Sequence, residues 1–336
     1  MDLVEAVPNF STINSTIINQ ITNQIESYRN TYVLNIDINK TYNRTVITFC
    51  TPIHQILDVS VDCISLALEL IDMRKHTGEH PRIGSVDVFP LIPLFNDKYN
   101  SLISISHKLS SIIGMKFKIP VFCYSKSAKS SNNYYLSNIR KNQYEGLEYS
   151  LSHNIITPDY GDHRFNPKNG AIVIGVRDIL IAYNVNLISK EKSKANHIAK
   201  IIRSSGYYNS KNLHFTGKLQ QIQALGFKNF HNDQHCQVST NILDYKKSDS
   251  IFQVYNSVKS EASKLNINIS GSELVGLVPK NAFNISVNKF PQFPFKNRLP
   301  DYIDYLGLND LYTFDYSEKI LEYKLSQYFD ITQLYL

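Results

Sequence analysis

Apolar residues in this chain recur at a spacing of two in some stretches and of three to four in others. The two patterns alternate along its length, which obliges the chain to fold as layers of helix and sheet. Residues 15–28 place Ile17, Ile18, Ile21 and Ile25 at helical spacing, with Asn14 or Ser15 able to cap the first turn. TYVLNIDI (31–38) and TVITFCT (45–51) follow as strands around the polar turn NKTYNR. A long helix is predicted from Ile53 to Met73, with Ile56, Val59, Cys63, Leu66 and Leu70 on its apolar stripe. VDVFPLIPL (86–94) reads as a strand, and Pro90 and Pro93 point to an edge or irregular position. A helical period over 98–114 and a strand over 118–125 complete this half.

Residues 126–167 are polar, aromatic and poorly periodic, and predict long loops with a short helix. AIVIGVRDILIAYNVNL (171–187) carries the strongest strand signal in the chain and reads as two strands joined around Gly175 to Asp178. The boundary between two halves is expected there. The second half predicts a helix at 189–204, a β-rich stretch at 213–245, a helix at 250–264 and another around 272–285. The residues from Leu321 onward read as surface helix or tail. The expected fold is α/β in two subdomains, 1–178 and 179–325, followed by a tail over 326–336.

Of the 336 residues, 43% are hydrophobic and 19% charged, which excludes disordered and fibrous classes. No window approaches the roughly 18 consecutive apolar residues of a membrane span. MDLVEAVPNF lacks the basic start of a secretory signal. Cys50, Cys63, Cys123 and Cys236 stand singly and read as buried thiols of a reducing cytoplasm. The net charge of +6 is dispersed, and the basic run Lys190 to Lys200 contains Glu191 on a predicted helix. It reads as a solvated face, so neither a nucleic-acid nor a membrane partner is expected. The mild positive bias would help to collect a small polyanion.

The densest polar constellation is RKHTGEHPRIGSVD (74–87). His76, Glu79 and His80 match the H-x-x-E-H zinc signature, which needs both histidines on one continuous helix. Gly78 and Pro81 oppose such a helix, no third ligand follows, and no metal is expected. The end of a long helix would account for Arg74 and Lys75, but not for the rigid block GEHPRIG. Three further clusters are IDINKTYNRT (36–45), PDYGDHRFNPKNGA (158–171) and GSELVGLVP (271–279). Each alone is compatible with an ordinary turn or connection. GxGxxG, P-loop and G-x-S-x-G motifs are absent.

Together these blocks resemble glutamate formiminotransferase, the transferase portion of formiminotransferase-cyclodeaminase. The matching segments are VEAVPNFS (4–11), NRTVITF (43–49), LIDMRKHTGEHPRIGSVDVFPLIP (70–93), LIAYNVNL (180–187), QVSTNILDY (237–245) and GSELVGLVP (271–279). They run in the family's order over roughly residues 3–325. The resemblance implies two α/β subdomains facing each other through their sheets, with substrates held in the cleft or tunnel between them. It implies transfer of a formimino group from N-formimino-L-glutamate to tetrahydrofolate, in histidine degradation, by a homodimer. The general acid/base histidine falls on His80 and the strand-end aspartate on Asp37. The folate loop falls on Gly161, Asp162, His163, Arg164 and Phe165, continuing through Asn166, Pro167, Lys168, Asn169 and Gly170.

That chemistry suits these residue types. Nitrogen 5 of the reduced pterin must lose a proton and the glutamate nitrogen must gain one, a cycle suited to histidine near pH 7. An aspartate would hold the tautomer and stabilise the imidazolium. Glutamate and the folate tail, which can be polyglutamylated, carry carboxylates for which Arg44, Arg82 and Arg177 are candidate forks, each equally able to serve in a structural ion pair. This chain has Ser11-Thr12-Ile13 in place of the family's Ser-Glu-Gly, Asn39-Lys40 in place of Gly-Pro, and Asn35 in place of aspartate. Glu273, assigned here to substrate binding, replaces a glutamine of the animal two-domain members. Alternatives on the same fold are a folate-binding paralogue without transferase activity and a formyl-donor variant. The resemblance stops before the helical cyclodeaminase domain, so ammonia release is expected to fall to another protein.

Overall fold

A computed structural model describes residues 2–40, 42–94, 98–228, 234–247, 250–283 and 299–331. The chain divides into two compact units, the first through Arg177 and the second from Asp178 to Phe329. The division falls in the short connection between strands β7 (Ile172–Val176) and β8 (Ile181–Leu187).

The first unit is a mixed sheet with its three long helices on one face. Its strands are β1 (Leu3–Ala6), β2 (Asn9–Phe10), β3 (Tyr32–Asn39), β4 (Arg44–Pro52), β5 (Val86–Pro93), β6 (Val121–Cys123) and β7. Across the sheet the order is β3, β4, then β1 and β2 end to end, then β5, β7 and β6. The β5–β7 and β6–β7 pairings are parallel and the others antiparallel. Helices α1 (Ser15–Glu26), α2 (Ile56–Leu70) and α3 (Tyr99–Phe117) pack their apolar stripes on one side. There Ile21, Ile25, Ile64 and Leu109 join Ile47, Phe49, Phe89 and Ile174 in one core. Asn14 caps α1, its Oδ1 accepting from Thr16 N at 2.9 Å and Ile17 N at 3.3 Å.

On the opposite face, residues from the poorly periodic 126–167 stretch cover the β5–β7–β6 end. They include the short helices α4 (Leu136–Ile139) and α5 (Leu147–Ser152), whose Ile139, Leu147 and Leu151 pack on Val88, Phe122 and Val173. The period-two alternation of β4 sends Ile47 and Phe49 to the helices, and so sends Arg44 and Thr48 to this second face. The register with β3 and β1 adds Asp37, opposite Val46, and Glu5, opposite Cys50. A polar strip therefore runs beside an apolar one on the same sheet face.

Of the two readings of the β5 prolines, edge or irregular, the structure shows the second: the register with β2 shifts between Asn9 and Phe10. The strand is buried throughout and lies inside the sheet, between β1/β2 and β7. Pro90 has no N–H to give, but it stands at the break between β1 and β2, where Val7 N donates to its carbonyl at 3.2 Å.

The second unit holds an antiparallel sheet in the order β11 (Ile222–Lys228), β12 (Cys236–Ile242), β8, β13 (Ile269–Val275). A two-stranded ribbon, β9 (Tyr207–Tyr208) with β10 (His214–Phe215), stands apart from it. Helices α6 (Lys192–Ile202) and α7 (Ile251–Lys264) share a core with Tyr183, Val185 and Val238. The helix expected around 272–285 is a strand as far as Val275, and helix begins only at Lys280. Ser272 and Leu274 are more buried than Glu273 and Val275, an alternation of two bracketed by Gly271 and Gly276 at φ values of 128° and 77°. Beyond Phe283 that expectation lies outside the described residues. Near the C-terminus, α8 (Leu299–Tyr305), α9 (Tyr316–Lys319) and α10 (Leu321–Ser326) follow, the last burying Leu321 and Leu325. Among the described residues no helix is long and apolar enough to cross a membrane.

Ile21 is fully buried under the sheet whereas Asn14 stands exposed at the cap. Ile21→Ala is expected to lower the unfolding free energy by about 2–5 kcal/mol and Asn14→Ala by about 1 kcal/mol. Urea titration with an unchanged m-value measures both.

Candidate active site

The strand turn that leads into β4 and the segment 76–85 meet at one end of the polar strip. After α2 the chain makes one 3-10 turn, Met73–Lys75, and runs on without helix. The helix that the zinc signature requires is therefore missing. His76 is spent on structure: its Nε2 donates to the Asn43 carbonyl at 2.7 Å, and its Nδ1 accepts from Arg82 Nε at 3.2 Å. Gly78 passes so close to Tyr42 that a Cβ would stand 2.3 Å from the Tyr42 carbonyl oxygen.

His80 is half-buried beside Tyr42, with ring centroids 5.1 Å apart. Its Nδ1 lies 2.8 Å from the Pro81 carbonyl, an acceptor that assigns the ring proton to Nδ1. Nη1 of Arg44 stands 3.3 Å from Nδ1 and 3.1 Å from Nε2. A group so nearly equidistant from both nitrogens would collide with Cε1 if it lay in the ring plane, so the guanidinium sits over the face of the imidazole. Burial, and then the charges of Arg44 and Arg140, push the His80 pKa well below the ordinary histidine range; the Pro81 carbonyl opposes them. His80 is a neutral imidazole at pH 7, protonated on Nδ1.

The three arginines around it differ in how far their donors are used. Arg82 is buried and gives both Nη groups to Glu145, at 2.8 and 2.5 Å. Arg140 forks onto Asp87, whose Oδ1 also accepts from Ile83 N at 3.0 Å and so pins the start of the strand segment. Arg44 has no carboxylate within ion-pair distance among the described residues, and its Nε is buried without a hydrogen-bond partner there. The charges of Asp87 and Asp37 favour its ionised form from farther away. Asp37 thus reaches the cluster electrostatically through Arg44.

The 161–170 loop is stitched to the same segment. Gly84 bridges Gly170, Ser85 N donates to the Asn169 carbonyl at 3.0 Å, and Met73 N donates to the Lys168 carbonyl at 2.8 Å. Gly170, at φ 66°, would put a Cβ 2.1 Å from the Ile83 carbonyl oxygen, and Gly161, at φ 79°, would put one 2.0 Å from that of Ile119. Phe165 packs on Tyr144 at 5.4 Å, and the Tyr144 hydroxyl donates to the Pro167 carbonyl at 2.6 Å. Asn166 Oδ1 accepts from Asn169 N at 3.0 Å, and Lys168 Nζ donates to the Glu69 carbonyl at 2.8 Å. Asp162 and Arg164 pair at 2.8 Å in solvent, and His163 is exposed. Outside this frame the loop lines an open groove of about 540 Å³ with Arg74, Phe117 and Lys118.

Arg177 lies farther along the sheet, its backbone bonded to Leu91 and its side chain to the Tyr124 hydroxyl, near the buried Glu5. In the second unit, Glu273 accepts from Asn184 Nδ2 at 3.1 Å, Gln237 Nε2 at 2.6 Å and the Tyr312 hydroxyl at 2.6 Å. Sequence reasoning missed Tyr42, Asp87, Arg140, Glu145 and Glu5 as members of these networks. Asp87 sits within the recognised block, but Arg140 and Glu145 fall in a stretch with no periodic signal to mark them.

The fold and this site define a two-unit α/β protein with a neutral histidine under an arginine and a glycine-bounded loop beside it. The formiminotransferase domain, N-terminal subdomain, matches residues 3–177, and the formiminotransferase domain matches 182–326. The chain belongs to the formiminotransferase family. It is 33% identical to the glutamate formimidoyltransferase of Streptococcus pyogenes serotype M1, covering 95% of this chain and 97% of that one. It is 36% identical to the glutamate formimidoyltransferase of Thermoplasma acidophilum, covering 86% and 92%. With the formimidoyltransferase-cyclodeaminase of Dictyostelium discoideum it shares 33% identity over 98% of this chain and 62% of that one. The chain thus spans about three fifths of the length of that relative.

Two substitutions test the framework. Asp87→Asn leaves the Arg140 charge, 11% exposed, without its carboxylate, and a loss of about 3–5 kcal/mol in unfolding free energy is expected. Burial outweighs the Arg177 charge at Glu5 and raises its carboxyl to about 7. Between about pH 4.3 and 7 the folded chain keeps a proton that the unfolded chain releases, so this group makes stability fall as pH rises through that window. Glu5→Gln is expected to gain on the order of 3 kcal/mol over the parent at about pH 8, with the gain vanishing towards about pH 4. Denaturant titrations at the two pH values read it.

Proposed function

We propose that this chain is a glutamate formimidoyltransferase, converting N-formimino-L-glutamate and tetrahydrofolate into L-glutamate and 5-formiminotetrahydrofolate. The observation that carries the proposal is His80: a neutral imidazole protonated on Nδ1, in a chain of this family. Nitrogen 5 of the pterin attacks the formimino carbon, forming a C–N bond as it gives up its proton to His80 Nε2. The same proton then passes to the glutamate nitrogen, whose C–N bond to that carbon breaks. Proton transfer of this kind is worth about 10²–10⁴-fold.

Arg44, with donors to spare, is assigned to a substrate carboxylate, and Arg177 to a second one. Arg82 enters the site through His76 and its pair with Glu145. The Gly161–Gly170 loop is assigned to folate, with Phe165 offering a ring face. Asp37 favours cationic states of the cluster, and Glu273 is assigned to substrate binding. The family resemblance supports a homodimer, and the lone thiols support a cytoplasmic setting.

Purified protein with both substrates should form 5-formiminotetrahydrofolate, read as the ultraviolet absorbance of its acid-converted methenyl form. His80→Ala should lose about 10²-fold or more in rate while still binding folate by calorimetry. Undiminished turnover in that variant removes His80 from the role.

A further inference from the structure

The placement of Arg44 is unusual for a residue whose task is to bind an anion. Its guanidinium lies over the very imidazole that must accept a proton, it has no carboxylate partner among the described residues, and its Nε is buried without a hydrogen bond there. We propose that Arg44 is a positioning residue that locks His80 in its neutral form while the site is empty, and that a carboxylate taken up by Arg44 releases the lock and makes His80 basic. The proposal rests on the transferase reading only for the identity of that carboxylate.

The electrostatics follow from the geometry. A unit charge about 4 Å from a forming imidazolium, at an effective dielectric of about 20, opposes protonation by on the order of 10³-fold. Other groups around His80 cannot lift this alone. Arg140, placed after α4, adds to the opposition even though it is paired with Asp87 on β5. Arg82 and His76, from the segment that carries His80, are engaged with each other, and Arg82 with Glu145, yet the Arg82 charge also opposes protonation of His80. Tyr42 offers a ring, and Asp37 on β3 acts on Arg44 from beyond pairing distance. An anion bound at Arg44 is the neutralisation this arrangement lacks. Formation of the imidazolium during the reaction would then coincide with bound acid substrate, and a neutral analogue without the carboxylate would meet a histidine of little basicity.

Two carboxylates could supply the effect, that of the glutamyl donor and that of the folate tail. The test follows the His80 ring by NMR pH titration of the full chain with labelled histidine, its signal assigned by its loss in His80→Ala. In the empty protein His80 should titrate well below the ordinary histidine value. Saturating L-glutamate should raise its midpoint by at least one unit, a tenfold change. The unreactive 5-formyltetrahydrofolate should do so instead if the folate tail is the source. In Arg44→Gln the empty protein should titrate higher than the parent, still below the ordinary value because burial and Arg140 remain, and respond to neither ligand. Arg44→Lys, which keeps the charge but not the planar fork, serves if the glutamine variant fails to fold; it should titrate between the two. An unchanged His80 midpoint in both variants, or in the parent with both ligands saturating, overturns the proposal. A ligand-dependent shift in a protein that transfers no formimino group would sustain it while removing the transferase reading. Transfer without any shift would do the reverse.

Discussion

The paired burial of Asp87 and Arg140 is the interaction on which the site depends. Asp87 begins the central strand β5, Arg140 follows a short helix more than fifty residues later, and both are nearly excluded from solvent. Two buried ions are stable only in close, fully bonded geometry. The Asp87 carboxylate meets that requirement by taking the Arg140 fork and the backbone N–H of Ile83. The aperiodic 126–167 stretch is thereby fastened to the sheet. The same contact keeps a cation close enough to His80 to oppose its protonation.

Around this anchor, backbones approach one another where only hydrogen would fit. Gly78 lies against Tyr42, Gly84 against Asn169 and Ala171, and Gly170 against Ile83. Ser11 reinforces the seam, its hydroxyl donating to the Gly84 carbonyl at 2.7 Å and its N–H to the Ser85 carbonyl at 2.9 Å. Blocks far apart in sequence, VPNFS, GEHPRIGS and the 161–170 loop, thus become one rigid surface. The proton transfer proposed for His80 would gain from such rigidity, because the ring orientation is set by the Pro81 carbonyl and not by a mobile side chain.

The layered fold was legible from periodicity because burial of one stripe per helix and one face per strand leaves a pattern that neighbours reveal. Where it misled, a partner was responsible. Pro90 and Pro93 imply an edge or an irregular strand; the strand is interior but its register with β2 shifts, and the missing N–H of Pro90 falls at the break between β1 and β2. Periodicity points to a helix around 272–285, but pairing with β8 draws its start, as far as Val275, into a strand that buries Leu274. Arg44 and Arg82 look alike in sequence. Glu145, with no local signal to mark it, occupies the fork of Arg82, and no carboxylate of the described chain comes as close to Arg44.

The sequence by itself determined the α/β class, the family and the residue types on which the chemistry turns, because these reside in local spacing and in short contiguous blocks such as GEHPRIG. Only the tertiary structure decided which of those residues remain available. His76 and His80 share one short segment, yet one is consumed by Asn43 and Arg82 while the other is held neutral beneath Arg44. That distinction depends on the distances and desolvation of groups brought together from β4, β5 and the loop after α4. Coulomb and burial energies follow proximity in space, and no spacing along the chain encodes them.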